Sequence, residues 1–163
     1  MRYVIIGNGV AGVTAAFAIR ERLDDAAITV ISAESDYFFS RTALMYAFMD
    51  RLTPRDLEPN ERKVYDRQRI ERVRGLVTDL DAGAHTLTLE SGARIPYDRL
   101  LIAAGSRPNR PNWAGMDAVR DGLVNFVTLQ DLEQCERLTK RGGRAVVAGG
   151  GLIGVELVEC LHH

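Results

Sequence analysis

Two glycine-rich turns hold the residues of this chain best suited to gripping a ligand: Gly7-Asn8-Gly9-Val10-Ala11-Gly12 and Gly149-Gly150-Gly151-Leu152-Ile153-Gly154. The first follows the apolar run Tyr3-Val4-Ile5-Ile6, the second follows Ala145-Val146-Val147-Ala148, and a helix-like stretch follows each. Glycines at this spacing between a strand and a helix form a pyrophosphate cradle. The first glycine permits the tight turn, the second admits phosphates close to the backbone, and the third lets helix and strand pack. The start of the helix adds unpaired N–H groups and a positive dipole end. Two cradles imply two dinucleotide sites, and a protein holding two dinucleotides is suited to moving electrons between them. Glu34 stands about twenty residues after Gly12, where an acid accepts hydrogen bonds from a ribose and disfavours a 2′-phosphate.

The elements that must position these residues follow from the pattern. Residues 2–6 and 27–31 read as buried strands flanking a helix over 10–22, a βαβ unit with parallel strands. Ser40 is placed to cap a helix from Arg41 to Arg51, and a polar helix is expected over 61–70. The period then changes. Residues 73–80, 85–90 and 94–95, separated by Asp81-Ala82-Gly83 and Ser91-Gly92, read as a small antiparallel meander. Residues 99–103 return to a buried strand, and the proline-rich segment 105–112 leaves the first domain. Leu129, Leu132, Cys135 and Leu138 recur at helical spacing over 128–140, Arg141-Gly142-Gly143 stops that helix, and a second strand–glycine–helix unit begins.

Composition removes several classes of function. A formal net charge of -1, with arginines interleaved among acids as in Arg67-Gln68-Arg69-Ile70-Glu71-Arg72, offers no basic field to nucleic acid. No apolar run reaches the ~20 residues of a membrane span, and the N-terminus enters a strand without a signal-peptide pattern. The expected compartment is cytoplasmic and reducing. Only Cys135 and Cys160 are cysteines, neither a close pair nor part of a metal cluster, and both read as small apolar packing groups. No metal site is expected. His85 reads as a structural histidine in a strand, Met45 and Tyr46 as helix-face packing, Trp113 as packing over the linker. His162-His163 reads as a frayed end or a tag remnant.

Four separated blocks carry a family resemblance. Gly7–Gly12 with Ala16 and Glu34, then Ser40-Arg41 after Tyr37-Phe38-Phe39, then Tyr97 to Pro108 around Ala104-Gly105, and finally Gly149–Gly154 with Glu156 together resemble the pyridine nucleotide–disulfide oxidoreductase-like enzymes. These are FAD/NAD(P) flavoprotein reductases. The resemblance spans the whole chain and implies an α/β, Rossmann-like FAD/NAD(P)-binding fold: a parallel sheet with helices and a small meander, plus the start of a second Rossmann unit. It implies an FAD-binding domain over 1–112, and over 113–163 a linker and the beginning of an NAD(P)H-binding domain. The chain then reads as the N-terminal part of a longer reductase. The residues it points to for FAD are Gly7, Gly9, Ala11, Gly12, Glu34, Ser40, Arg41, Val77, Ala104 and Gly105. For NAD(P)H they are Gly149, Gly151, Ile153, Gly154 and Glu156. No catalytic acid or base is singled out.

Two departures from the family pattern bear on function. Ala104 stands where threonine is usual, removing a hydroxyl. Ser40, Arg41, Thr42 and Ala43 occupy the region where the disulfide reductases carry a redox cysteine pair. Without that thiol relay, electrons are expected to pass from NAD(P)H through FAD to an external acceptor, a redox protein or a quinone. The alternative from another class is a non-catalytic flavin- or ADP-binding module.

Overall fold

A computed structural model describes residues 1–109, 111–119, 121–139 and 142–162. Arg110 of the expected linker, Lys140 and Arg141 at the expected helix stop, and His163 lie outside the described residues. In chain order the elements begin with β1 (Arg2–Ile6), α1 (Val10–Arg22), β2 (Ala27–Ser32), α2 (Leu44–Phe48), α3 (Arg62–Arg67) and β3 (Ile70–Arg74). They continue with β4 (Val77–Asp81), β5 (Thr86–Leu89), β6 (Arg94–Pro96), β7 (Arg99–Ile102), α4 (Leu129–Thr139) and α5 (Leu152–His162). Two compact units result, Met1–Ser40 with Glu58–Gly105, and Arg41–Leu57 with Ser106–His163.

The first unit is built on a four-stranded sheet of order β3-β2-β1-β7, parallel at every pairing. Strand residues alternate between faces, and both faces of β1 and β2 are covered, which is why those runs are continuously apolar. β7 pairs as expected but is not the buried strand its sequence suggested, because it is the edge strand of this sheet and leaves Leu101 and Ile102 exposed. Ile5, Ile28 and Val30 pack with Val13 and Ala16 of α1 and Tyr65 of α3. Val4 and Ile31 pack on the opposite side with Leu87, Leu89 and Tyr97. The meander β4-β5-β6 is antiparallel as expected, and its side chains close that second face.

Arg20 secures the end of α1. Although only 8% exposed, it has no carboxylate partner in its hydrogen-bond set and instead spends its guanidinium on backbone carbonyls. Nε donates to Gln68 O at 2.8 Å, Nη2 to Ala26 O at 2.7 Å and Arg69 O at 3.2 Å, and Nη1 to Leu23 O at 3.2 Å and to Asp24 O. One side chain thus ties the α1–β2 loop to the turn before β3. At the same end of the sheet, where β1 and β7 start, Asp98 accepts from the Arg2 backbone N–H at 2.7 Å and from Nη2 at 2.8 Å, and its own N–H donates to Arg2 O at 2.9 Å. These bonds align the starts of β1 and β7.

Four local expectations are corrected. The helix over 61–70 ends early, because Arg69 takes a left-handed φ of 49°, and Ile70–Arg74 becomes a fourth parallel strand rather than entering the meander. Its arginines hid it: the Arg72 guanidinium is accommodated 4.5 Å above the Tyr37 ring. The helix from Ser40 is reduced to a 3₁₀ turn, Arg41–Ala43, and α2. Asp50 at φ 54° closes it, with Arg51 N–H bonded to Tyr46 O at 2.8 Å and Asp50 N–H to Ala47 O at 2.9 Å. His85 leaves the strand at φ 51° and stacks on Tyr97, ring centroids 5.3 Å apart. Finally, Ala145–Ala148 forms no strand. No strand lies alongside to complete a ladder among the described residues, and Val146 is 93% exposed.

The second unit starts α4 with a reciprocal cap: Asp131 N–H donates to Thr128 Oγ1 at 3.0 Å, and Thr128 N–H to Asp131 Oδ2 at 2.8 Å. Phe48 meets Phe126 edge-on at 5.8 Å. Leu132 is buried there, and Cys135 is half-buried, in line with its packing role.

Two measurements check these anchors. Arg20→Met should lower unfolding stability by about 3 kcal/mol in denaturant titration, because buried carbonyls lose their donor, and Arg20→Lys should recover only part of it for want of the planar fork. Hydrogen bonds from the Arg2 side chain and backbone hold the Asp98 carboxyl down at about 2. A depressed folded value means stabilisation present above the ordinary aspartate range and lost as pH falls toward 2. Carboxyl NMR titration of Asp98 should therefore show a midpoint near 2, and Arg2→Ala should return it to the ordinary range.

Candidate functional site

In a parallel sheet the crevice for a ligand opens at the carboxyl ends of the strands, where the strand order reverses. Here β1 is that point: β2 and β3 lie to one side of it and β7 to the other. The first glycine turn leaves β1 at this place, and Ala104-Gly105 leaves β7 beside it. Gly7 takes φ 107°, and a Cβ on it would lie 2.1 Å from Ala103 O and 3.2 Å from Ala104 N. Only glycine fits. Gly7 N–H donates to Ile31 O, and Ala103 N–H to Ile6 O, both at 2.8 Å. The structure therefore brings Gly7, Gly9, Gly12, Ala104 and Gly105 to one end of the sheet.

Gly12 sets how closely α1 crosses this turn. A Cβ there would stand 1.9 Å from Gly7 O and 3.2 Å from Ile5 Cγ2. Gly9 differs, since its φ of -69° is open to any residue and a Cβ would meet nothing within 4 Å. The protein leaves an open cradle at Gly9, at the start of a thirteen-residue helix. No side chain caps α1 and no acid stands in its first turn, so its first N–H groups face outward with no anionic competitor. Ala11 is exposed on that turn. This donor set suits a pyrophosphate.

Glu34 is half-buried on the loop after β2. Its N–H donates to Ser32 Oγ at 3.3 Å, and Ser32 Oγ donates to Asn8 Oδ1 at 3.0 Å. Further along the loop, Tyr37 lies between the guanidinium of Arg62, at 4.6 Å, and that of Arg72, at 4.5 Å. Phe38 N–H donates to Tyr65 Oη at 3.3 Å. Asn8 and Tyr65 carry no sequence signature of their own. The aromatic segment 37–39 was legible, but not its burial against α3.

Other candidates sit on other elements. Val77 opens β4 and packs on the Val4–Ile31 face of the sheet. Ser40 is half-buried at the end of the first unit's first segment. Arg41 belongs to the second unit, where its Nη1 donates to Val127 O.

The second glycine turn repeats the local geometry of the first. Gly149 takes φ 120°, and a Cβ on Gly154 would lie 2.1 Å from Gly149 O, as one on Gly12 would from Gly7 O. Val155 N–H bonds to Gly151 O at 3.0 Å, as Val13 N–H does to Gly9 O at 3.0 Å. Gly151 is open, like Gly9. Ile153 is exposed and Glu156 half-buried on α5. Burial, with Glu159 and Glu156 nearby, pushes the Cys160 thiol up, and burial beside Asp131 and Glu136 does the same for Cys135. Both are weak nucleophiles at neutral pH. Trp113 is exposed, 55% accessible, instead of packed. No three His, Cys, Asp or Glu side chains converge among the described residues, and no described helix is long and apolar enough to cross a membrane.

The chain is 28% identical over 163 residues to the 3-phenylpropionate/cinnamic acid dioxygenase ferredoxin–NAD(+) reductase component of Photorhabdus laumondii, covering 95% of this chain and 39% of that protein. It is 33% identical over 154 residues to the benzene 1,2-dioxygenase system ferredoxin–NAD(+) reductase subunit of Pseudomonas putida, covering 94% and 37%. Among solved structures, NADH:rubredoxin oxidoreductase from Clostridium acetobutylicum superposes with a TM-score of 0.88 at 27% identity, over 99% of this chain and 41% of that one. The chain thus spans about two-fifths of the length of these relatives. The family model for pyridine nucleotide-disulphide oxidoreductases matches residues 1–163, and with a parallel α/β sheet in its first unit and two glycine turns of equivalent local geometry, the chain belongs to that family.

Proposed function

We propose that this chain supplies the dinucleotide cradles of an FAD-dependent NAD(P)H oxidoreductase that passes electrons from NAD(P)H through flavin to an external redox protein or quinone. The observation that carries this reading is the pair of equivalent turns, Gly7–Gly12 and Gly149–Gly154, each with an outer glycine open to a ligand. Residues 1–112 are read as the flavin portion and 113–163 as the start of the nicotinamide portion, although Arg41–Leu57 groups with the second unit. Relatives named as ferredoxin–NAD(+) reductases support an external protein acceptor.

Bound flavin would supply the hydride-accepting chemistry. The chain's own residues bind and orient. Gly7, Gly9, Ala11 and Gly12 present the start of α1 to the FAD pyrophosphate, Glu34 accepts from the ADP ribose, and Ala104-Gly105 lets the backbone of β7 approach the cofactor. Ser40, Arg41 and Val77 are assigned to the flavin site on family resemblance. Gly149, Gly151, Ile153 and Gly154 offer the second cradle to NAD(P)H, with Glu156 toward its nicotinamide end. The stretch Ser40–Ala43 holds no thiol, and both cysteines are weak nucleophiles, so transfer needs no thiol relay within these residues. Two free thiols are also in keeping with a reducing, cytoplasmic setting.

Three variants separate binding from folding. Gly9→Val should change stability by under about 1 kcal/mol, as an N-cap exchange in open space, yet lower FAD affinity at least about tenfold by filling the cradle. Gly12→Ala should cost about 3 kcal/mol, because backbone blocks its methyl. Gly154→Ala should disturb α5 in the same way. Undiminished FAD retention in Gly9→Val would move the flavin elsewhere. In an ultraviolet–visible spectrum the full-length protein should show flavin bands that bleach on adding NADH or NADPH, while residues 1–163 alone should hold FAD weakly and leave NADH unoxidised. A colourless protein, or bands indifferent to both, would leave a binding module instead.

A further inference from the structure

Asn8 occupies a position of the first glycine turn that the glycine spacing leaves unspecified, yet it is 8% exposed and hydrogen-bonded on both sides of its amide. Its Nδ2 donates to Ser35 O at 2.7 Å and Ser35 Oγ at 3.2 Å, while its Oδ1 accepts from Ser32 Oγ at 3.0 Å. A carbonyl can only accept, so the partners themselves fix which end of the amide faces which way. Ser32 Oγ in turn accepts from Glu34 N–H at 3.3 Å and Ser35 N–H at 3.4 Å, and Ser35 Oγ donates to Tyr37 O at 2.8 Å. Asn8 is thus the joint between the turn that presents the start of α1 and the loop that carries Glu34.

We infer that Asn8 is a positioning residue for dinucleotide recognition: its buried amide sets the spacing between the pyrophosphate cradle and the ribose-binding acid. The inference rests on the functional reading above. It follows from geometry that a ligand touching both Gly9 and Glu34 is held correctly only while the two segments keep one register. Backbone bonding within β1 and β2 ends at Gly7 N–H to Ile31 O, and past that bond the Asn8 amide carries the register onward. An aspartate at this place would turn a donor toward Ser35 O into an acceptor, so shape alone does not suffice.

The test is a double-mutant cycle with ADP as probe, read by calorimetry. Asn8→Ala should weaken ADP binding about tenfold, the effect of losing a buried, doubly bonded amide, and Asn8→Asp at least as much. In a Glu34→Gln background the further loss from Asn8→Ala should shrink to under about twofold, because the two act as one unit. An equal loss in both backgrounds would make Asn8 a general structural group and overturn the inference. Amide hydrogen exchange of the ligand-free protein reads the joint directly: Asn8→Ala should speed exchange at Glu34 and Ser35 and leave β1 and β2 protected, and unchanged rates there would also overturn it. Failure of the unsubstituted protein to bind ADP would instead sink the functional reading.

Discussion

The contact on which the first unit depends is the approach of α1 to the turn that feeds it. A Cβ at Gly12 would fall 1.9 Å from Gly7 O, and one at Gly7 would fall 2.1 Å from Ala103 O. Three pieces of backbone, from the β1 turn, α1 and the end of β7, therefore meet where no side chain can stand between them. Small residues at Gly12 and Ala16 let the helix lie on the sheet, and that closeness aims its first N–H groups across the carboxyl ends of the strands. A single methyl at the crossing would tilt the helix and disperse those donors. Gly9, which carries no such constraint, is left open beside them.

Around that crossing, the unit is held by side chains that bond to backbone more than to one another. Arg20 is the clearest case, a buried cation whose fork collects carbonyls from the α1–β2 loop and the turn before β3. Placing it among carbonyl dipoles compensates the lost hydration without a buried carboxylate. Tyr37 between two guanidiniums serves the loop after β2 in a related way, giving polar residues an apolar seat close to a ligand-facing segment. The meander has a plainer part. It buries the second face of β1 and β2, and so permits those strands to be apolar on both sides.

The two glycine turns share local geometry but differ in support. In the first unit, strands on either side of β1 hold the turn, and a Ser–Asn network extends it. Around Gly149–Gly154 the turn and helix are formed, while Ala145–Ala148 has no paired strand and Leu152, Val155 and Val158 of α5 are exposed. A glycine turn and its helix start are thus local structures, dictated over a dozen residues. A strand is not, since it exists only with a neighbour.

That difference also decides what could be read from the sequence. By itself the sequence determined both cradles, the β1–α1–β2 unit, the return strand at 99–102, the meander and α4. Each of these has short-range determinants: glycine spacing, alternation, turn residues, a capping pair. Tertiary structure alone decided that Ile70–Arg74 joins the parallel sheet, because Arg72 and Arg74 find Tyr37 and Asp36 on the distant loop after β2, with Asp66 of α3 beside Arg72. It decided that helix formation stops at Phe48, through the left-handed Asp50. It also assigned buried roles to Asn8, Arg20 and Tyr65, each of which bonds to a group 24 to 49 residues away along the chain. Residue types announce the chemistry they can do within a turn or two, but which polar group meets which across the sheet is settled only when the strands have chosen their neighbours.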